Sequence, residues 1–185
     1  AVDFEQLCAA PEQTLRLVAP TGIDVAISCL GTTIRAAGSQ AAMFRVDHDY
    51  VLAFARGARA LGARQFILIT AVGAGGPGFY LKTKGVIERD VTDLHFDRLD
   101  LIRPGFLEGG RNEQRPLEAI GSRLFSALAS ILPSSVQRFG PISAETVAEA
   151  IVGLVGRTEP GCHVHHNADI HAEVDASHGA AKAVG

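Results

Sequence analysis

A tyrosine phenol and a lysine ammonium stand four residues apart in Phe79-Tyr80-Leu81-Lys82-Thr83-Lys84-Gly85. At that spacing two side chains share one face of a helix. Ten residues before Tyr80, Thr70 closes the apolar run Gln65-Phe66-Ile67-Leu68-Ile69-Thr70. A hydroxyl at the end of a strand can face such a pair. The three groups together can protonate a carbonyl oxygen while a hydride arrives at its carbon, which is oxidoreductase chemistry. Tyr80 would act as the acid in reduction and the base in oxidation. A free phenol ionises at about pH 10, so the positive charge of Lys84 is expected to pull that value down. The bland alternatives are a Tyr and a Lys on an amphipathic helix, and a β-branched strand terminus at Thr70.

These residues need a scaffold, and the chain alternates the elements that could supply one. Asp24-Val25-Ala26-Ile27-Ser28-Cys29-Leu30, residues 66–70 and Arg98-Leu99-Asp100-Leu101-Ile102-Arg103 read as buried strands, and Cys162 to His166 as a short final one. Helical spacing covers about 41–61, 79–94 and 117–132, and Ser143 is a plausible N-cap for a helix carrying Val147, Ile151, Leu154 and Val155. Apolar strands that barely alternate imply burial on both faces, so the expected fold is α/β, a Rossmann-like doubly wound parallel sheet. In such sheets ligands sit beyond the carboxyl ends of the strands. Gly31-Thr32-Thr33, Thr70-Ala71 and Pro104-Gly105 all fall at those ends.

The chain has 185 residues, 47% of them hydrophobic, with a net charge of −3, which suits one domain over 1–185 and offers no basic stripe for nucleic acid. Its three cysteines, Cys8, Cys29 and Cys162, are scattered, which argues for a reducing compartment rather than a disulfide framework. Cys29 is expected to be a buried, inert thiol. No stretch is long and apolar enough to span a membrane, and Ala1-Val2-Asp3-Phe4-Glu5 has no leader character, so the expected location is the cytoplasm. His163 and His165 alternate near Cys162 and His166 without metal-ligand spacing, and read as a polar terminal strand and tail rather than a metal site.

Taken in order, Cys29-Leu30-Gly31-Thr32-Thr33, Phe44-Arg45-Val46-Asp47-His48-Asp49-Tyr50-Val51, Thr70-Ala71-Val72-Gly73-Ala74, Tyr80-x3-Lys84-Gly85 and Arg103-Pro104-Gly105 resemble the short-chain dehydrogenase/reductase superfamily. The match is to its atypical branch of Tat-interacting-protein-like oxidoreductases. The resemblance implies an NAD(P)H-dependent oxidoreductase acting on a small carbonyl or alcohol, with NADP ahead of NAD as cofactor. Tyr80, Lys84 and Thr70 would be its catalytic residues. Leu30, Gly31, Thr32, Thr33, Asp47, Lys84, Arg103, Pro104 and Gly105 would line the cofactor, and Lys84 would also hold the nicotinamide ribose. Asp47 falls where many members carry an Asn that supports a proton-relay water, and also reads as a first-turn acid favoured by the helix dipole. Arg111 reads as a substrate contact or a solvated loop residue.

One motif departs from the family. No Gly-rich turn follows a strand near the start, and Gly73-Ala74-Gly75-Gly76-Pro77-Gly78 lies in the wrong place for it. By the resemblance the sequence begins after the family's third strand, which leaves a sheet edge for another segment, another chain or a homodimer to cover. The departure also leaves open a non-catalytic regulator of the same fold that senses NAD(P) or binds a protein.

Overall fold

The computed structural model describes residues 2–108 and 138–184. The helix expected over 117–132 and Arg111 lie outside them. Four parallel strands form the main sheet: β1 (Val25–Ser28), β2 (Gln65–Ile69), β3 (Arg98–Ile102) and β6 (Gly161–His165), in the order β1-β2-β3-β6. Two short strands, β4 (Phe106–Glu108) and β5 (Pro141–Ser143), pair in parallel beside it. The register sets Ile67 of β2 against Ile27 and Asp100, and Ile69 against Ile102. The parallel α/β sheet is therefore as the sequence predicts.

Burial on both sheet faces explains the continuous apolar strands. One face carries Ala26, Phe66, Leu68, Leu99 and Leu101 against helices α1 (Phe4–Ala9), α2 (Pro11–Arg16), α5 (Val51–Ala60) and α6 (Phe79–Thr92). The other carries Ile67 and Ile102 against α7 (Ala144–Leu154) and α8 (Asn167–Val184). Ser143 caps α7 by accepting from Thr146 N at 3.0 Å. Two short helices, α3 (Ile34–Ala37) and α4 (Gln40–Phe44), lead into a π-helical turn, Arg45–Tyr50, that runs on into α5.

Two expectations are corrected here. Cys29 is exposed, because β1 ends at Ser28 on the edge of the sheet and Cys29 stands past its end. The expected polar tail after β6 is instead the helix α8, whose Ile170 and Val174 pack into the second core.

A polar network interrupts that second core. Asp100, fully buried in the middle of β3, accepts from Gln65 Nε2 at 2.8 Å, from Arg98 Nε at 2.8 Å and from Arg98 Nη2 at 2.7 Å. His165 Nε2 lies 2.9 Å from its Oδ1. The Gln65 amide reaches on to Leu154 O and Gly156 N, both at 2.8 Å, and so ties the end of α7 to the sheet. Of the two alternating histidines of β6, His165 thus serves a buried carboxylate, whereas His163 Nε2 lies 3.3 Å from Glu159 O.

Candidate active site

Tyr80, Lys84 and Glu88 are spaced i, i+4 and i+8 along α6 and so share its face. Lys84 is buried, and its Nζ lies 2.7 Å from Oδ1 of the equally buried Asp47 in the π-helical turn. Such turns recur at functional sites because the extra residue re-aims the side chains around it. The other Asp47 oxygen, Oδ2, accepts from Thr32 N at 2.8 Å. Oδ1 has no directed hydrogen bond among the described residues, so its contact with Lys84 is an ion pair. Lys84 Nζ also lies 5.7 Å from the centre of the Tyr80 ring.

The loop after β1 closes over this pair. A Cβ at Gly31 would sit 3.4 Å from Asp47 Oδ1 and 3.5 Å from Lys84 Nζ. Those are van der Waals distances, so Gly31 lies directly over the buried pair. Thr33 is turned to another task, accepting from Ala36 N at 3.1 Å as the N-cap of α3. Leu30 packs against the first core.

Thr70 is buried, and its hydroxyl donates to Glu88 Oε1 at 2.6 Å. Arg103, from the end of β3, donates through Nε to the same oxygen at 2.9 Å and pairs through Nη2 with Oε2. Pro104 O accepts from Val72 N at 3.0 Å, and Gly105 N donates to Asn167 Oδ1 at 2.9 Å. Gly105 is held so close to Gly140 that a Cβ would meet its carbonyl oxygen at 2.1 Å. Arg103-Pro104-Gly105 is therefore tied into the protein by its own contacts.

The structure thus gathers Gly31, Thr32, Asp47, Tyr80 and Lys84 into one cluster and Thr70, Glu88 and Arg103 into a neighbouring one. Two sequence expectations change. Tyr80 is not pulled down: burial of the ring, and then the negative Asp47, push its phenol above the usual value. Burial is the larger cause, and Asp47, paired with Lys84, sets a negative charge near the ring beside the expected positive one. The Thr70 hydroxyl, expected to reach a substrate oxygen, has its proton turned to Glu88. Sequence reasoning missed Glu88, whose one signal was its i+8 spacing from Tyr80.

Protein HTATIP2 of Rattus norvegicus is 43% identical over 130 residues, which cover 69% of this chain and 50% of that protein. The mitochondrial protein fmp52 of Emericella nidulans is 37% identical over 128 residues, covering 68% and 54%. The chain is a homologue of HTATIP2 and FMP52. That relationship supports the atypical short-chain dehydrogenase/reductase branch indicated by the motifs. The chain spans about half the length of the curated relatives it matches. No family model matches it.

Solved structures share the fold. NAD-bound UDP-glucose 4-epimerase of Bifidobacterium longum has a TM-score of 0.58 at 15% identity, covering 83% of this chain and 59% of that one. NADP-bound dTDP-4-dehydrorhamnose reductase of Bacillus anthracis has a TM-score of 0.57 at 14% identity, covering 90% and 61%. The fold of this homologue is thus the Rossmann type.

The expected cytoplasmic location does not stand, because several FMP52 relatives are mitochondrial by name. That expectation rested on the first residues of a chain matching only part of those proteins. Among the described residues, no helix is long and apolar enough to cross a membrane.

Proposed function

We propose that the protein is an NAD(P)H-dependent oxidoreductase that reduces a small carbonyl compound, with Tyr80 as its proton donor. The observation that carries this reading is the Tyr80–Lys84–Asp47 cluster beneath Gly31 at the carboxyl rim of the sheet. The residues suit a nicotinamide nucleotide. With the loop at Gly31 moved aside, a ribose hydroxyl would both accept from Lys84 Nζ and donate to the Asp47 oxygen that lacks a directed bond. Lys84, Asp47, Gly31 and Thr32 would hold the cofactor, with Arg103-Pro104-Gly105 as a wall. When bound, the nucleotide supplies hydride to the carbonyl carbon.

The chain's own groups supply the proton and the orientation. A phenol held above its usual value carries its proton at neutral pH and so can donate it in the reductive direction, as a weaker acid than a free phenol. Lys84 stands 5.7 Å from the centre of the ring, paired with Asp47, where it would hold the ribose rather than ionise the phenol. Other relatives of the fold that bind NADP or NAD act on nucleotide sugars, and a small carbonyl or alcohol is the substrate class proposed for this chain.

A second reading, a non-catalytic nucleotide sensor, draws on the same pair. With Lys84 neutralised by Asp47 and Tyr80 raised, the cluster could bind a ribose without turnover. Calorimetry with NADPH and NADH separates these readings, on this chain and on a version extended at its N-terminus to its relatives' length. Binding by the extended protein together with carbonyl-dependent NADPH oxidation is the expected result. Binding without oxidation favours the sensor, and absence of binding to the extended protein overturns both.

A further inference from the structure

Glu88 joins three elements at the rim of the sheet. It is buried on α6, one turn beyond Lys84, and its carboxylate receives groups from the ends of β2 and β3. Oε1 accepts from Thr70 Oγ1 at 2.6 Å and from Arg103 Nε at 2.9 Å, while Oε2 takes the Arg103 Nη2. The two-point pairing sets a carboxylate, which only accepts hydrogen bonds, against a guanidinium, which only donates them.

A hydroxyl has one proton to give. The Thr70 oxygen also lies 3.4 Å from Ile102 O, but the shorter, charge-assisted contact with Glu88 wins the proton. The Thr70 oxygen therefore offers only lone pairs to any other neighbour. A group meeting it at the rim must be a donor, such as the hydroxyl of an alcohol product.

We infer that Glu88 is a positioning residue of the site, acting by fixing the Thr70 hydroxyl as a hydrogen-bond acceptor toward the ligand. This rests on the oxidoreductase reading. Glu88 touches neither substrate nor cofactor in this role; it works through Thr70, and its pairing with Arg103 keeps the carboxylate aligned.

The test is a cycle of wild type, E88Q, T70V and E88Q/T70V in the N-terminally extended protein. Each is assayed for NADPH binding and for NADPH oxidation with para-nitrobenzaldehyde. The amide introduced by E88Q keeps the shape and an acceptor oxygen but no longer compels the direction of the Thr70 proton. The expected result is a loss of about tenfold in kcat for E88Q with KM for NADPH unchanged, and a further loss under about twofold when E88Q is added to T70V. An equal loss on both backgrounds overturns the action through Thr70. Should E88Q fold poorly, E88Q/R103Q, with neither charge of that pair left, carries the same comparison. Failure of the wild type to bind nucleotide overturns the oxidoreductase reading as well, whereas binding and turnover with equal losses overturn the role of Glu88 alone.

Discussion

Lys84 Nζ and Asp47 Oδ1 meet at 2.7 Å with both side chains buried, so the ammonium next to Tyr80 reaches it already paired. The pair joins α6 to the π-helical turn, and through Asp47 Oδ2 to the loop after β1. It brings the site residues together and also sets their charge.

Removing one partner is expected to cost more than removing both. K84M strands a buried carboxylate and should lower the unfolding free energy by about 3–5 kcal/mol, whereas K84M/D47L should recover much of that loss. Urea denaturation of the two variants against wild type measures the difference. Equal stabilities for K84M and the double variant would show that the pair is not buried as described.

The phenol can be titrated directly, because the chain holds two tyrosines and no tryptophan. In Y50F the near-ultraviolet tyrosinate signal belongs to Tyr80 alone, and it should rise at a pH above that of a free phenol. Adding D47N removes one of the two causes of the rise and leaves Lys84 positive, so the midpoint should move down. An upward or absent shift would contradict the assigned influence of Asp47.

Acid should weaken the fold through Asp100. Burial opposes its ionisation, but hydrogen bonds from His165, Arg98 and Gln65 outweigh burial and bring its pKa down to about 2. The unfolded carboxyl ionises at about 3.9, so this stabilisation is present above that value and lost as the pH falls through it toward about 2. Stability measured by urea between these limits should decline in wild type and decline less in D100N. At neutral pH, D100N should cost about 3 kcal/mol, because Arg98 stays buried without that carboxylate.

A side chain at position 31 should hinder a ligand from reaching Asp47 and Lys84. Gly31→Val places carbon over Asp47 and Lys84 without demanding an unusual backbone, so the thermal midpoint should hold. NADPH affinity in the extended protein should fall about tenfold or more, equivalent to about 1.4 kcal/mol. Calorimetry gives the affinity, and unchanged binding would remove Gly31 from the site.

The strands were legible because burial on both faces writes them as continuous apolar runs, as in Phe66 to Ile69. The face of α6 was legible because helical spacing fixes which residues share it, so Tyr80 and Lys84 could be placed together. The π-helical turn was not, since a shift in backbone hydrogen bonding leaves no trace in composition; Asp47 read as a first-turn acid. Glu88 went unread, because its partners lie on distant strand ends. The tuning of Tyr80 was read with the wrong sign because burial of the ring and the approach of Asp47 both depend on tertiary packing.

The proton donated by Tyr80 is the centre of this account, and Tyr80→Phe tests it most directly. NADPH affinity and carbonyl-dependent NADPH oxidation would be measured side by side in the N-terminally extended protein. Phenylalanine keeps the ring and removes the acid, so affinity should stay within about twofold while kcat falls about 100-fold or more. Full turnover by the variant would contradict the assignment of Tyr80 as the proton donor.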